Sequence, residues 1–176
     1  MSFADPTRTL SQFGLSEGAR VADFGAGSGA YTLAASALVG VSGRVYAVDV
    51  QKDFLTRIKN SAGESGVKNV EVVWGDVEKS GGTKLRDYTL DAVIVSNLLF
   101  QLEDREGCLA EATRVLKARG RVLLVDWSGS FGNMGPRPQE VVTKSAARAL
   151  FEHGGFTLER EIEAGGHHYG LVMRKT

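Results

Sequence analysis

Residues 21–32 read VADFGAGSGAYT. A short apolar run, broken by Asp23, ends in three glycines at alternate positions, Gly25, Gly27 and Gly29, and passes into a segment with helical spacing. Glycine lacks a Cβ, so such a loop lets another molecule come against the backbone and lets the chain adopt left-handed conformations. The flanks show what the loop connects. Arg20 to Phe24 reads as a strand, and Tyr31, Leu33, Ala34, Ala37 and Leu38 place one apolar face on a helix. A strand that ends in GAGSG and opens a helix sets a bare loop and backbone N–H groups at the carboxyl edge of a sheet, beside a ligand.

Outward from this unit the pattern repeats. RVYAVDV (44–50) is a second strand, followed by a helix carrying Phe54, Leu55 and Ile58 and stopped by AGESG. NVEVVWGD (69–76) is a third strand, and DAVIVS (91–96), apolar on both faces, is a buried central fourth. Asp104 caps a helix with Cys108, Leu109, Ala112, Val115 and Leu116 at helical spacing, ended by the basic KARG (117–120). RVLLVDW (121–127) is the fifth strand, the Gly/Pro-rich SGSFGNMGPRP follows, and a helix runs from about Gln139 to His153. The tail, FTLEREIEAGGHHYGLVMRK, is two strands around AGG, a hairpin that closes a parallel sheet antiparallel. Asp5-Pro6 starts a small leading helix with Leu10 and Phe13. Strands alternating with helices define the α/β class, with no domain boundary in residues 1–176.

Asp49 supplies the second half of the argument. It ends the second strand 20 residues after Gly29, where a carboxylate accepts hydrogen bonds from both hydroxyls of a ribose. The pair points to an adenosine-containing ligand. Two other readings stay open: a tight turn with Asp49 merely capping the helix near Lys52, and a dinucleotide, because Gly25, Gly27 and Ala30 also satisfy G-x-G-x-x-G/A. Against the dinucleotide, none of the four tyrosines has a lysine four residues later, and no length remains for a separate catalytic domain. The phosphate-loop pattern G-x-x-x-x-G-K-[ST] is absent.

Composition narrows the class further. Lys plus Arg and Asp plus Glu both total 21, so no bulk field draws nucleic acid or an anionic membrane. The basic cluster Arg114, Lys117, Arg119 and Arg121 precedes strand five, at the amino end of the sheet, and reads as a solvated helix end. Cys108 is the only cysteine and lies on an apolar helix face, which excludes an internal disulfide and any multi-cysteine metal site. The opening MSFADPTRTL has no basic n-region or apolar h-region, and no apolar run reaches bilayer-spanning length, so a cytoplasmic location is expected.

Taken together, VADFGAGSG, VYAVDV, WGDV, DAVIVSNLLFQL and GRVLLVDW resemble, in order and spacing, the motifs of the class I S-adenosylmethionine-dependent methyltransferases, over residues 7–176. The resemblance implies a three-layer Rossmann-like sandwich with a seven-stranded sheet of order 3-2-1-4-5-7-6, strand seven antiparallel. It implies S-adenosyl-L-methionine as cofactor. Gly25, Ala26, Gly27 and Gly29 would approach its methionine and ribose, Asp23 would orient its amino group, and Asp49 would hold the ribose. Asp76 would lie near the adenine amino group, Val50 and Val77 would sandwich the ring, and Ser96, Asn97 and Leu98 would line the methionine end. Val50 and Val77 also read as plain core.

Methyl transfer from a sulfonium is an in-line displacement, so a base is needed only when the acceptor must lose a proton. The turn between strands six and seven should overhang the site together with Asp126-Trp127-Ser128, which makes His168 a candidate base and Tyr169 a candidate pocket ring; His167 reads as a surface hairpin residue. FGNMGPRP reads either as a lid with Phe131 and Met134 in its wall or as a disordered loop. LVDWSGSFGNMGPRP and HHYGLVMRK resemble the ubiquinone/menaquinone-biosynthesis-like methyltransferases in particular. Little chain precedes the first strand and no large insertion is present, which argues against quinones themselves. SNLLF stands where amino-group DNA methyltransferases carry Pro-Pro-Tyr, and Cys108 is not placed as a cytosine nucleophile. The acceptor is expected to be a small molecule; RNA or protein methylation with a partner subunit, and a non-catalytic cofactor-binding module, remain as alternatives.

Overall fold

The structure, a computed structural model, describes residues 4–176. Seven strands form one sheet: β1 Arg20–Phe24, β2 Arg44–Asp49, β3 Val70–Trp74, β4 Leu90–Ser96, β5 Leu116–Trp127, β6 Phe156–Glu163 and β7 His168–Lys175. Their order across the sheet is β3-β2-β1-β4-β5-β7-β6. The β1–β2, β1–β4, β2–β3 and β4–β5 pairs are parallel, whereas β7 is antiparallel to both neighbours. This is the topology that the resemblance implied, and the terminal hairpin provides its antiparallel strand.

Side chains of successive strand residues point to opposite faces. On one face Val21, Val45, Ala92, Ile94, Leu123, Val125 and Val172 pack with Leu10 and Phe13 of α1 (Pro6–Phe13) and Tyr31, Ala35 and Val39 of α2 (Ala30–Val39). Ile58 of α3 (Lys52–Glu64) meets Ala47 in a smaller cluster beside Ala26. On the opposite face Phe24, Val48, Val93, Val95, Val122 and Leu124 pack with Cys108, Leu109 and Ala112 of α4 (Arg105–Val115) and Phe151 of α5 (Lys144–His153). Neighbouring positions of β4 therefore serve different cores, which explains why DAVIVS lacks a polar face.

The expected caps are present. The Asp5 side chain accepts the N–H of Thr7 and of Arg8 ahead of Pro6, and Asp104 accepts the N–H of Gly107. Two boundaries differ from the sequence reading. Helix α4 stops at Val115, and residues 117–120 belong to the extended lead-in of β5, where Arg119 takes a φ of 61° and the pairing with β4 shifts register between Leu90 and Ala92. KARG is thus not a helix end. Helix α5 begins at Lys144 rather than near Gln139, because Pro138–Glu140 forms its own short turn, closed by Glu140 back onto Arg137, and Thr143 is the cap, accepting the Ala146 N–H.

Arg114, Lys117 and Arg121 of the basic cluster are engaged within the protein, and Arg119 is exposed. Arg114 contacts Glu111 at 2.6 Å and Asp87 at 2.5 Å, Lys117 contacts Asp91 at 2.6 Å, and Arg121 donates to the carbonyls of Phe13 and Gly14. No helix among the described residues is long and apolar enough to cross a membrane.

Candidate functional site

At the carboxyl edge of the sheet, β1, β2 and β4 end around a cavity of about 560 Å³, within the range of small-molecule sites. Every residue that the resemblance assigned to the cofactor lines it except Gly29: Asp23, Gly25, Ala26, Gly27, Asp49, Val50, Asp76, Val77, Ser96, Asn97 and Leu98. Gly29 instead begins α2 in the left-handed region, and a Cβ there would stand 2.6 Å from Ile58 Cγ1. Gly25 is also left-handed, with the Leu98 side chain where its Cβ would be; a Cβ on Gly27 would meet nothing closer than 3.9 Å. The three glycines do different work. Gly25 and Gly29 allow the loop to pack against Leu98, just past β4, and Ile58 of α3, while Gly27 leaves open space.

Four of the loop's N–H groups are already spent. Gly25 and Ala26 both donate to the Val48 carbonyl, Gly29 donates to the Ala26 carbonyl, and Gly27 donates to Asp49 Oδ2 at 3.0 Å. The expected cradle of free N–H groups is therefore not formed at these positions. The other Asp49 oxygen accepts the Gln51 N–H at 2.9 Å, so Asp49 turns the chain into α3 as well as holding the loop, while Gln51 is the residue at the cap position.

The charge of the cavity is one-sided. Asp23, Asp49, Asp76 and Glu78 line it, and no Lys, Arg or His does among the described residues. Asp23 is buried on the α2 face of β1, where the Thr32 hydroxyl donates to it at 2.7 Å. Burial pushes the Asp23 carboxyl up to about 7, the Thr32 bond opposes that, and the Asp49 charge adds to it. Asp76 closes a local turn by accepting the Glu78 N–H. Val50 is 58% exposed, hence not core, whereas Val77 is buried in the large cluster and still reaches the wall.

Asn97 holds a φ of 51°, uncommon for a residue with a side chain, and its N–H donates to Val125. The turn after it hangs from Asp126 at the end of β5. That buried carboxylate accepts the N–H of Leu99 at 2.9 Å and of Trp127 at 2.8 Å. Burial raises the Asp126 carboxyl to about 6 against these bonds. Asp126 thus points inward to position the residue 97–102 wall instead of overhanging the site.

Sequence reasoning missed several members of the wall: Tyr31 and Gln51, and Gln101 and Leu102 on the suspended turn. Tyr31 had been read only as an apolar helix position and Phe54 only as part of a helix face, yet both line the cavity. No periodicity marks such residues, because they converge from separate elements.

His168 and Tyr169 are not brought to this cavity. They border a second one, against the β6–β7 turn, with Arg8, Ser128, Lys144, Glu161 and Glu163. As adjacent strand residues they also face opposite ways. Tyr169 packs in the α4/α5 core, and its hydroxyl donates to the Val142 carbonyl at 2.9 Å. His168 stacks on Trp127, its partner across β5–β7, with ring centroids 4.3 Å apart. Burial, then the charge of neighbouring His167, holds the His168 imidazole below its ordinary value. His168 and Tyr169 nevertheless border the same cavity, Tyr169 with its hydroxyl already spent on Val142. Phe131 and Met134 form an isolated bridge, Phe131 lies 4.2 Å from the His167 ring, and neither lines the first cavity. The segment packs on Trp127 and His167 at the β5 end.

Comparisons with known proteins agree with this geometry. Residues 22–124 match the family model described as a methyltransferase domain. The chain is 33% identical to the ubiquinone/menaquinone biosynthesis C-methyltransferase UbiE of Cronobacter sakazakii over 121 residues, 68% of this chain and 47% of that protein. It thus spans about half the length of the curated relatives it matches. Among solved structures, a SAM-dependent methyltransferase from Aquifex aeolicus aligns with a TM-score of 0.90 at 31% identity, covering 99% of this chain and 91% of that one. An arsenic(III) S-adenosylmethionine methyltransferase from Chlamydomonas reinhardtii aligns with a TM-score of 0.71 at 24% identity, over 90% of this chain and 63% of that one, and shows the fold alone.

Proposed function

The chain belongs to the class I S-adenosylmethionine-dependent methyltransferases, and from that premise we propose that it methylates a small-molecule acceptor. The observation that carries this reading is the charge of the first cavity: four carboxylates, no base among the described residues, and loop N–H groups at Gly25, Ala26, Gly27 and Gly29 already bonded within the protein. A pyrophosphate needs the opposite, free N–H donors or cations. A ligand bearing a sulfonium and an ammonium matches the site, which supports S-adenosylmethionine over a dinucleotide.

When bound, S-adenosylmethionine supplies an electrophilic methyl group that the acceptor takes by in-line displacement. Within this reading the chain's residues bind and align. Asp49 keeps lone pairs that would accept ribose hydroxyls, Asp23 would hold the cofactor's ammonium, and Asp76 would meet the adenine amino group. Val50 and Val77 would flank the adenine ring. Gly27 permits close backbone approach, and Ser96, Asn97 and Leu98, fixed by Asp126, wall the methionine end and exclude water.

A carbon acceptor is supported by the activity named for the relatives. Recognition of RNA loses its sequence support, since Arg114 and Lys117 are paired with Glu111, Asp87 and Asp91. A cytoplasmic location belongs to the same reading and suits the free, buried Cys108.

Calorimetry with S-adenosylmethionine, S-adenosylhomocysteine and NAD tests the proposal. The first two should bind and NAD should not, and turnover is then read as S-adenosylhomocysteine released with a panel of small hydroxylated and amine-bearing acceptors. Absence of binding by both sulfur compounds would overturn it.

A further inference from the structure

The chain carries as many Lys and Arg as Asp and Glu, but the two signs are not spread evenly over it. Among the described residues, every charged side chain of the cofactor cavity at the carboxyl edge of the sheet is a carboxylate. At the amino edge, where β1 and β2 begin and the segment ahead of β4 returns, another cavity of about 530 Å³ shows the reverse. Its charged residues are Arg20, Lys84, Arg86 and Lys117, set beside Tyr46 and Tyr88, and no Asp or Glu joins them among the described residues.

Only Lys117 has a carboxylate partner, Asp91 at 2.6 Å. The Arg20 guanidinium donates to the Tyr46 hydroxyl and lies 5.4 Å from the centre of that ring. The Lys84 ammonium donates to the Trp74 carbonyl at 2.5 Å. Arg86 is exposed, and its guanidinium makes no hydrogen bond or ion pair with the described residues. A hollow lined by one sign of charge concentrates the opposite ion. Three cations here are left without a counter-charge.

The loop that brings Lys84 and Arg86 to the wall is fixed in place. Tyr88 and Thr89 donate their N–H groups to the carbonyls of Arg114 and Val115 at the end of α4, and the Thr89 hydroxyl donates to the Arg86 carbonyl at 2.8 Å. The loop is also strained. Of the four described residues other than glycine with a positive φ, Lys84 at 59° and Tyr88 at 53° both fall in it. Such conformations persist where surrounding structure imposes them, and they gather at ligand sites.

The surroundings suit a compact anion and not a long one. Asp87, beside Arg86 in the loop, is paired with Arg114, and Asp91 holds Lys117, so carboxylates interrupt the basic surface next to the cavity. A nucleic-acid strand needs a continuous basic track. One phosphate group brings about 1.5 to 2 negative charges at neutral pH, so two joined phosphates match the unpaired cations. Guanidinium groups hold phosphate oxygens through paired hydrogen bonds.

We propose that this cavity binds a small molecule bearing a diphosphate group, with Arg20 and Arg86 on the phosphate oxygens and Lys84 and Lys117 adding to the field. No residue lines both this cavity and that of the cofactor, so the two sites fill independently.

Inorganic pyrophosphate is the probe, titrated calorimetrically in metal-free buffer into the full chain, with and without saturating S-adenosylhomocysteine. Ionic strength is held constant, because salt screens exposed charges. One site is expected, indifferent to S-adenosylhomocysteine, with orthophosphate binding more weakly. Arg86→Gln should weaken pyrophosphate binding about tenfold, and Arg86→Lys, which keeps the charge, should recover part of the loss. Lys59→Gln, which removes an exposed cation outside the cavity, should leave the affinity unchanged. Circular dichroism should show all three variants folded like the wild type, since neither side chain holds another element in place. The site is overturned by absence of pyrophosphate binding to the wild-type chain, equal affinity in Arg86→Gln, an equal loss in Lys59→Gln, or displacement of pyrophosphate by S-adenosylhomocysteine. Tighter retention of an RNA oligonucleotide than of pyrophosphate would overturn it as well.

Discussion

Asp49 Oδ2 accepts the N–H of Gly27 at 3.0 Å, so the carboxylate that ends β2 is tied directly to the loop that ends β1. One side chain thereby shapes the loop and remains available to a ligand. Asp49→Ala is expected to weaken S-adenosylmethionine binding by about 1–3 kcal/mol and to lower the melting temperature of the free chain. Asp49→Asn keeps an oxygen for Gly27 and should spare the melting temperature more than the affinity. Calorimetry and thermal unfolding separate the two effects; unchanged affinity in Asp49→Ala would place the ribose elsewhere.

The glycines should respond unequally. Gly29→Ala drives a methyl against Ile58, which is 1% exposed and cannot move aside, at a φ of 81°; a loss of about 2–4 kcal/mol in folding stability is expected. Gly27→Ala meets only the left-handed penalty of about 1–2 kcal/mol, with open space around the new methyl, so its larger effect should fall on cofactor affinity. Denaturant unfolding beside binding measurements checks the contrast, and a reversed ranking would count against the role assigned to Gly27.

Asp23 sets a pH dependence. Its carboxyl is raised from 3.8 to about 7 in the folded chain by burial first, against the Thr32 bond and with the Asp49 charge. Between those values the folded chain holds a proton that the unfolded chain has released, so this group's contribution to stability falls as pH rises from about 4 to about 7. Asp23→Asn should flatten that part of the profile. A cofactor ammonium beside Asp23 favours its ionised form, so binding near pH 6.5 should release protons. Calorimetry in two buffers of different ionisation enthalpy reads the release, and identical heats would refute the pairing.

Glu111 should matter for folding and not for binding. Its buried carboxylate accepts the N–H of Gly81 and Thr83, the Thr83 hydroxyl and the Arg114 guanidinium. Burial pushes the carboxyl up, but Arg114 and these donors outweigh it and hold it down to about 2. The stability it contributes is complete above its ordinary 4.5 and is lost as pH falls toward 2. Glu111→Ala, which leaves the Gly81 and Thr83 N–H groups without their acceptor while Arg114 keeps Asp87, should cost about 1–3 kcal/mol while the folded fraction binds cofactor normally. Thermal unfolding and calorimetry on the same sample decide it.

The loop of Gly25, Gly27 and Gly29, Asp49, the buried fourth strand and the terminal hairpin were all legible in the chain, because each is written in neighbouring residues. Period-two and helical spacing, glycine placement and caps act within a dozen positions. KARG and the start of α5 were misread where local signals competed: basic residues suit a helix end, but Arg119 takes a left-handed conformation at the entry to β5, and Thr143 is a better cap than Gln139. Part of the N–H cradle was also misread, since the Val48 carbonyl and the Asp49 carboxylate that take the Gly25, Ala26 and Gly27 N–H groups arrive from another strand.

By itself, then, the sequence determined the succession of strands and helices and the pairing of a bare loop with an acidic strand end, for these follow from short-range geometry. Only the tertiary structure decided that His168 and Tyr169 point to opposite faces, that Asp126 suspends the wall of the cofactor cavity, that Arg114 is spent on Glu111 and Asp87, and that the cavity contains carboxylates without bases. Those outcomes depend on register and on contacts between distant segments, where a shift of one residue along a strand exchanges core for cavity and no local pattern records the result.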